Sequence, residues 1–328
     1  MKKPVKARRA KKTETVDLYQ KVTDRIVQAL EKGVAPWKKP WRTTQKYAAA
    51  GPLPVNASTG RAYSGVNVLL LWLEAEEKGY KTDRWVTYKQ AQDMGGQVRK
   101  GETCAQAVIF KPFEKQAEDL SGNLRFDAEG NPLMESRVMI KPNFLFNVDQ
   151  CDGLPESAVD IPHASPDEDE QGGLHWPTEQ RIMELIDAAG VAISIRLQDR
   201  AYYSPGTDRI VMPEAKQFFT EADYWSTLLH EMVHASGHEK RLNREGITKS
   251  SRKFGDPVYA FEELIAEMGS AFLCAQLGVY GEVQHESYID SWLKALKEDK
   301  KALFRACRHA REASDFLLQS TEKAAQAA

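Results

Sequence analysis

The sequence predicts an α+β protein of two domains, with one domain in each half of the chain. Its 328 residues are enough for two cores of ordinary size. A Pro-, Gly- and acid-rich stretch at residues 153–173 separates two segments with regular apolar patterns. Charge divides the chain similarly, because residues 1–115 carry a net +12 and residues 116–328 a net −14. We therefore expect four parts: a basic disordered tail (1–14), an α+β domain (15–152), an acidic linker (153–177) and a second domain (178–320).

The first domain is predicted to begin with helices and to continue with strands. Apolar residues at helical spacing predict helices over residues 15–32, 66–78 and 88–94. Two strand-like runs, 107–110 and 144–148, bracket a polar hairpin with glycine-containing turns.

The second domain is predicted to be mainly helical around a small sheet. Short apolar runs at 191–195 and 209–212 predict two strands. Helical spacing predicts helical segments at 178–189, 225–236, 259–277 and 288–318.

Composition excludes several classes of protein. Hydrophobic residues make up 42% and charged residues 28%, which is typical of a globular protein and not of a disordered or fibrous one. The chain has no run of 18 apolar residues, so we expect no membrane span, and its basic N-terminus lacks the apolar stretch of a secretory signal. Its four cysteines stand far apart, which fits neither a thiolate zinc site nor a disulfide framework and predicts a cytoplasmic location.

A His-Glu-x-x-His motif occupies residues 230–234 inside an apolar-periodic segment. On a helix, positions i and i+4 share one face, so the imidazoles of His230 and His234 can reach one metal ion. Two imidazoles need a third protein ligand and leave a position for water, whose pKa falls to about 7 on zinc. Glu231 is the predicted catalytic base, since it can take a proton from that water. The motif predicts peptidase chemistry and one zinc ion per chain, and the donors also suit manganese or another divalent metal.

The third ligand defines the subtype of the site. A metzincin places a histidine six residues after His234, but Lys240 occupies that position and excludes the class. His238 follows a glycine that we expect to end the helix. Downstream, Glu263 and Glu267 resemble the gluzincin arrangement, in which one helical glutamate binds the metal and an acid one turn later orients a ligand histidine. An exposed acidic helix face is the alternative for this pair.

A candidate substrate strand precedes the motif. Zinc peptidases usually bind substrate along an edge strand beside the metal helix. Residues 208–213, ending at Pro213, fit that role, so we expect them at a sheet edge.

Several separated segments resemble the ArdC-type antirestriction family. They occur in the same order through nearly the whole chain, at 37–41, 59–67, 85–88, 98–102, 202–213, 230–242 and 259–267. The resemblance implies an N-terminal single-stranded-DNA-binding domain and a C-terminal zincin-like domain. It also implies protection of incoming plasmid DNA from host restriction during conjugation, with passage of the protein into the recipient cell as one route. The same N-terminal module occurs on plasmid primases, so a general role in DNA transfer stays open.

Cationic and aromatic residues are the candidates for contact with DNA. Sequence-tolerant single-strand binders combine a cationic groove with aromatic faces on which bases stack. The predicted contacts are Trp37, Lys38, Lys39, Trp41, Arg42, Tyr63, Trp85 and Lys100. For each tryptophan, a place in the core is the alternative. No helix-turn-helix, zinc-finger or base-reading pattern is present, which argues against strong sequence specificity.

Three functions remain open at this point. The first is an antirestriction protein that binds single strands and has a competent zinc-peptidase site. The second is a DNA-dependent protease that cleaves proteins bound to DNA. The third is a non-proteolytic transfer protein with a purely structural metal.

Overall fold

The computed structural model describes most of the chain. The described residues are 17–37, 53–119, 121–159, 167–168, 174–175, 177–249, 256–279 and 288–327. The predicted basic tail and much of the predicted linker lie outside them.

The first half contains three helices within the described residues, and all three were predicted. Asp17 starts the first one, because its carboxylate accepts hydrogen bonds from the N–H groups of Tyr19 and Gln20. The elements are α1 (Leu18–Glu31), β1 (Val55–Asn56), α2 (Val66–Lys78), β2 (Arg84–Val86), α3 (Tyr88–Asp93), β3 (Gln97–Val98), β4 (Ala105–Gln116), β5 (Met134–Asn147) and β6 (Cys151–Asp152).

The main sheet of the first half has four strands in the order β1-β2-β5-β4. Strands β4 and β5 pair in antiparallel register from Ala105 opposite Leu145 to Gln116 opposite Met134. This hairpin is much longer than the two predicted runs. Its outer part is largely exposed on both faces, so it lacks the apolar–polar alternation by which a half-buried strand is recognised.

The second half combines helices with a three-stranded sheet. Its elements are α4 (Glu156–Val159), β7 (Asp167–Glu168), β8 (Leu174–His175), α5 (Pro177–Ala189), β9 (Ala192–Arg196), β10 (Tyr202–Ser204), β11 (Arg209–Pro213), α6 (Glu221–Ser236), α7 (Glu245–Thr248), α8 (Pro257–Leu277), α9 (Ile289–Glu298) and α10 (Ala302–Ala327). The last predicted helical segment is therefore two helices. Asp299 adopts an extended conformation after α9, and its carboxylate accepts a hydrogen bond from the N–H of Lys301.

The predicted substrate strand is not an edge strand. In the sheet order β10-β11-β9, the strand β11 lies in the centre, parallel to β9 and antiparallel to β10. Residues 209–211 pair with both neighbouring strands, so the backbone of this part of β11 is not available to a peptide. The prediction for residues 208–213 is therefore wrong, and β10 is the edge strand that packs beside the helix carrying the motif.

Helices from both halves meet in one continuous core. Trp72 of α2 contacts Phe272 of α8, with ring centroids 6.2 Å apart, and Trp37 lies edge-to-face with Trp292 of α9 at 5.7 Å. The halves therefore share buried apolar surface, which differs from the expected pair of separate cores. In the described part of the chain, no helix combines the length and apolar character needed to cross a bilayer.

Candidate metal centre

Helix α6 presents both motif histidines on one buried face. The hydroxyl of Thr220 caps the helix by accepting a hydrogen bond from the N–H of Asp223 at 3.1 Å. The helix ends at Ser236, two residues before His238, as predicted. One turn apart, the rings of His230 and His234 lie with centroids 4.8 Å apart, and both side chains are buried.

Helix α8 supplies the carboxylate that completes the set. The Glu263 Oε2 lies 3.5 Å from His230 Nε2, and its Oε1 lies 3.5 Å from His234 Nε2. One donor atom from each of these three residues lies within 4.8 Å of the other two. Glu263 is only 3% exposed, so the alternative of a solvated acidic helix face is wrong at this residue. Two imidazole nitrogens and one carboxylate oxygen form the donor set of a divalent-metal site.

Electrostatics at the site favour positive charge. Burial opposes a charged imidazole at His234, but the carboxylates of Glu263 and Glu262 outweigh it and raise the pKa of His234 to about 10. Burial likewise opposes ionisation of Glu263, yet the facing histidines hold its pKa far below the usual range. A pocket that draws a proton this strongly also suits a cation, so the residues present fit a bound metal ion.

Glu231 lies within the same buried cluster. It follows His230 on α6 and is 6% exposed. Its negative charge reaches both His234 and Tyr259, since it helps to raise the pKa of each. A carboxylate at this position can accept a proton beside the three metal donors.

Glu262, which the sequence analysis did not assign, contacts a ligand histidine. Its Oε1 lies 3.4 Å from His234 Nδ1, on the side of the ring opposite the metal-facing nitrogen. Carboxylates in this position fix the orientation and tautomer of a ligand imidazole. Glu262 was not predicted, because helical spacing alone does not show whether Glu262 or Glu267 faces α6 beside Glu263.

Arg244 holds Glu262 in place. The guanidinium donates to both carboxylate oxygens of Glu262, with contacts of 2.6 and 3.1 Å, and both side chains are buried. It also donates to the carbonyl of Val233 at 2.6 Å and to Ser236 Oγ at 2.9 Å. Burial opposes ionisation of Glu262, but the Arg244 charge outweighs it and lowers the pKa of that carboxyl. The pair therefore joins α8 to the last turn of α6.

A glycine makes room for this ion pair. A Cβ atom on Gly246 of α7 would overlap the side chain of Glu262, with Oε2 only 2.7 Å away. A side chain at position 246 would therefore force Glu262 or α7 to shift.

The role predicted for Glu267 is untested by this geometry. Glu267 lies on α8 one turn after Glu263 and is buried. That it orients a ligand histidine stays a prediction, whereas the carboxylate in contact with His234 belongs to Glu262.

A tyrosine also borders the metal donors. Tyr259 precedes Glu263 by one turn of α8, and the Glu263 carboxylate acts on its hydroxyl. Burial, followed by the charge of Glu263, raises the pKa of Tyr259 well above its usual value, so this hydroxyl keeps its proton. Tyr259 was not among the predicted site residues, because a tyrosine in an apolar-periodic helix usually belongs to the core.

A hydrogen-bonded cluster ties the edge strand to the end of α6. Tyr203 of β10 donates to Asp208 Oδ1 at 2.7 Å, and Arg241 contacts the same carboxylate. Arg241 also donates to the carbonyl of Ala235 at 2.7 Å. The strand beside the site is thereby held at a defined position relative to the metal helix.

The structure corrects the prediction for two of the candidate DNA contacts. Trp37 is 4% and Trp85 is 0% exposed, and both rings are enclosed by protein. Since a base stacks only on an open aromatic face, neither indole is a stacking platform in this structure. Both take the alternative place, in the core.

The other predicted DNA contacts fall into two groups. Lys100 is exposed, and Tyr63 is half-buried with its hydroxyl accepting a hydrogen bond from Asn56 Nδ2 at 3.2 Å. Both stay predictions. Four further residues lie outside the described residues: Lys38, Lys39, Trp41 and Arg42.

Comparison with known families divides the chain as its architecture does. Residues 16–146 match a family described as the N-terminal domain of anti-restriction factor ArdC. Residues 180–309 match a family described as zincin-like metallopeptidase.

Solved structures of similar proteins cover almost the whole chain. The metal-free crystal structure of the antirestriction ArdC protein from plasmid R388 is 39% identical, with a TM-score of 0.73 over 94% of this chain and 98% of that one. The Mn(II)-bound structure of that protein is 37% identical, with a TM-score of 0.68 over 93% and 98%.

Curated relatives differ in how much of their length this chain matches. An uncharacterized protein of Sinorhizobium fredii is 35% identical over 305 residues, which are 92% of this chain and 91% of that protein. Two proteins of Escherichia coli named DNA primase TraC are 35% identical over 94% of this chain. The chain spans only 20% and 28% of those primases.

Proposed function

This chain belongs to the ArdC antirestriction family, and its second half is a zincin-like metallopeptidase domain. We propose that the protein binds single-stranded DNA, has a working peptidase site and protects incoming DNA during conjugation. The observation that carries the peptidase part is the buried set of His230, His234 and Glu263 with Glu231 beside it. The DNA-binding part is supported by the family match of residues 16–146 and by the net positive charge of the first 115 residues.

Each residue at the site has a distinct proposed task. His230, His234 and Glu263 would hold one zinc ion, or manganese in its place, and the ion would polarise a peptide carbonyl and acidify a water molecule. Glu231 accepts a proton at its carboxylate and returns it to the leaving amine. The protonated hydroxyl of Tyr259 donates a hydrogen bond at the same pocket, where charge develops on the carbonyl oxygen.

The Glu231→Gln variant tests whether peptidase chemistry serves the biology. Glutamine keeps the size of the side chain and removes its ability to accept a proton. We expect the variant to keep its metal and to lose peptide cleavage by about 100-fold or more. Glu239→Gln is the matched control, because Glu239 is exposed just beyond α6. If Glu231→Gln still protects incoming DNA from restriction in a mating assay, proteolysis is not part of the protective role.

Binding to DNA is tested separately. We expect the intact chain to prefer single strands to duplexes, with an affinity that falls as salt rises because phosphate contacts release counterions. An affinity that is equal for both forms, or insensitive to salt, would contradict this half of the proposal.

A non-proteolytic role in DNA transfer is the second candidate. It is favoured by the burial of His230, Glu231, His234 and Glu263, since a peptidase must admit a peptide to its site. It is also favoured by the two relatives named as primases. Replacing the zinc with cobalt distinguishes the candidates. A peptidase site has a position open to a hydroxamate, which would change the visible spectrum of the cobalt protein, whereas a closed structural site would show no change.

A DNA-dependent protease is tested with the same preparation. Cleavage of a DNA-bound protein that rises when single strands are added would indicate that DNA regulates the site. Cleavage at one rate with and without DNA would exclude that version.

A further inference from the structure

A groove of about 480 Å3 lies between the two halves of the chain. One wall is formed by Lys301 and by the start of α10, with Arg305, Arg308 and Arg311. The β4-β5 hairpin contributes Phe110 and Val138 to the lining, and Tyr19 of α1 and residues 64–67 at the start of α2 complete it. The groove is therefore built from both family regions and is separate from the metal centre.

The α10 wall carries a row of cations. Lys301 directly precedes the helix, and a spacing of three residues places Arg305, Arg308 and Arg311 on one helical face, over about 9 Å at 1.5 Å per residue. All four are exposed, and the residues that line the groove include no aspartate or glutamate. Such a row attracts a polyanion.

The ion pairs of this row are weak enough to be exchanged. Arg305 donates to Asp299 at 2.6 Å, Arg308 lies 3.6 Å from Glu312, and Arg311 lies 3.8 Å from Asp315. Each of these six side chains is at least 41% exposed. Exposed pairs of this kind contribute about 0–1 kcal/mol. A phosphate can therefore replace the carboxylate partners of these guanidinium groups with little loss of free energy. Arginine is well suited to bind a phosphate, because it can donate two N–H groups to it.

An aromatic face lies across from the cations. Phe110 is 46% exposed, and its ring meets Phe304 of α10 edge-to-face at 6.1 Å. The hairpin is held firmly at this point, because the side chain of Asn67 in α2 both donates to and accepts from the backbone of Val108, at 2.9 and 2.8 Å. A fixed, half-open phenyl ring offers a base a surface on which to stack.

We propose that this groove is a binding site for single-stranded nucleic acid, with phosphates along the α10 row and a base on Phe110. This inference rests on the single-strand binding proposed above and locates it across both halves, so that part of the contact lies beyond the N-terminal family region. A single strand uses both walls, since it brings phosphates and unpaired bases together. An acidic peptide would use the cations alone.

The test measures binding of the intact protein to fluorescent oligothymidylate by anisotropy over a range of NaCl concentrations. In Arg308→Gln/Arg311→Gln, two phosphate contacts are lost, so we expect weaker binding and a slope of log K against log[salt] smaller by about 1.4. The matched control is Lys216→Gln/Lys249→Gln, which removes two exposed cations with ion pairs elsewhere on the surface. It should bind like the unchanged protein.

The stacking contact is tested at Phe110. We expect Phe110→Ala to weaken single-strand binding by about 5- to 150-fold with the salt slope unchanged, and Phe110→Tyr to retain binding, since tyrosine keeps an aromatic face. Zinc content and thermal midpoint show that each variant is folded.

The outcomes separate the groove from the proposed function. If the unchanged protein binds no single strand, the proposed DNA binding itself fails. If it binds, but both the arginine variant and its control bind alike, the groove assignment is overturned while single-strand binding stands. A loss in the arginine variant with no effect of Phe110→Ala also overturns the proposal, because cations alone would serve an acidic peptide equally well.

Discussion

The contact between Glu262 and His234 makes a specific prediction about metal affinity. Glu262→Gln preserves the shape of the side chain but removes the charge that holds the imidazole and balances Arg244. Loss of a carboxylate that orients a ligand histidine costs about 10- to 100-fold in metal affinity. We expect that loss in a competition titration of the metal-free protein against a chromophoric zinc chelator.

The same substitution should lower stability by an amount that the burial indicates. The two side chains are 5% and 1% exposed, so Arg244 would be left as a buried charge without its partner. Breaking such a pair costs about 3–5 kcal/mol, and the low end applies because the amide still accepts one hydrogen bond. At about 2–4 °C per kcal/mol, the thermal midpoint of the metal-free protein should fall by about 6–12 °C.

Two further variants separate orientation from stability. Arg244→Met/Glu262→Gln removes both charges, so we expect it to recover part of the stability and none of the metal affinity. Glu267→Gln removes the acid that the sequence analysis placed in the orienting role. Unchanged metal affinity in Glu262→Gln, or a larger loss in Glu267→Gln, would refute the assignment of Glu262 to this task.

Three other variants test the site and its surroundings. The His230→Ala protein should lose nearly all of the expected one zinc per chain, measured by metal analysis after dialysis, and full zinc content would contradict the ligand assignment. In Gly246→Ala, the new Cβ atom displaces Glu262, so the chelator titration should show weaker metal binding, and normal affinity would mean that α7 yields easily. Burial opposes ionisation of Asp208, but hydrogen bonds from Arg241 outweigh burial and lower the pKa of Asp208. The ionised carboxylate therefore stabilises the folded protein above the unfolded pKa of 3.8, and this stabilisation is lost as pH falls through the lower folded pKa. Asp208→Asn should therefore be less stable than the unchanged protein near neutral pH and about equal to it at the acid end of a urea-denaturation series, and a pH-independent difference would argue against this role.

Local patterns in the sequence were enough to predict most of the longer helices and the paired histidines. The spacing of His230 and His234 depends only on the geometry of one helix, and the helices over 66–78 and 259–277 follow from their own apolar periods. The ability of these residues to bind a metal could also be inferred from the sequence, because it follows from the imidazole and carboxylate side chains themselves.

Contacts between distant segments could not be predicted in this way. Which acid of α8 faces His234 depends on the rotation of α8 against α6, and Arg244 reaches Glu262 only because a glycine of α7 lets the two approach. The enclosure of Trp37 depends on Trp292, which is 255 positions away in the chain. An amphipathic residue such as tryptophan serves equally well in a core or at a ligand, so its local sequence carries no signal that separates the two, and only the packing of the two halves assigns it to the core.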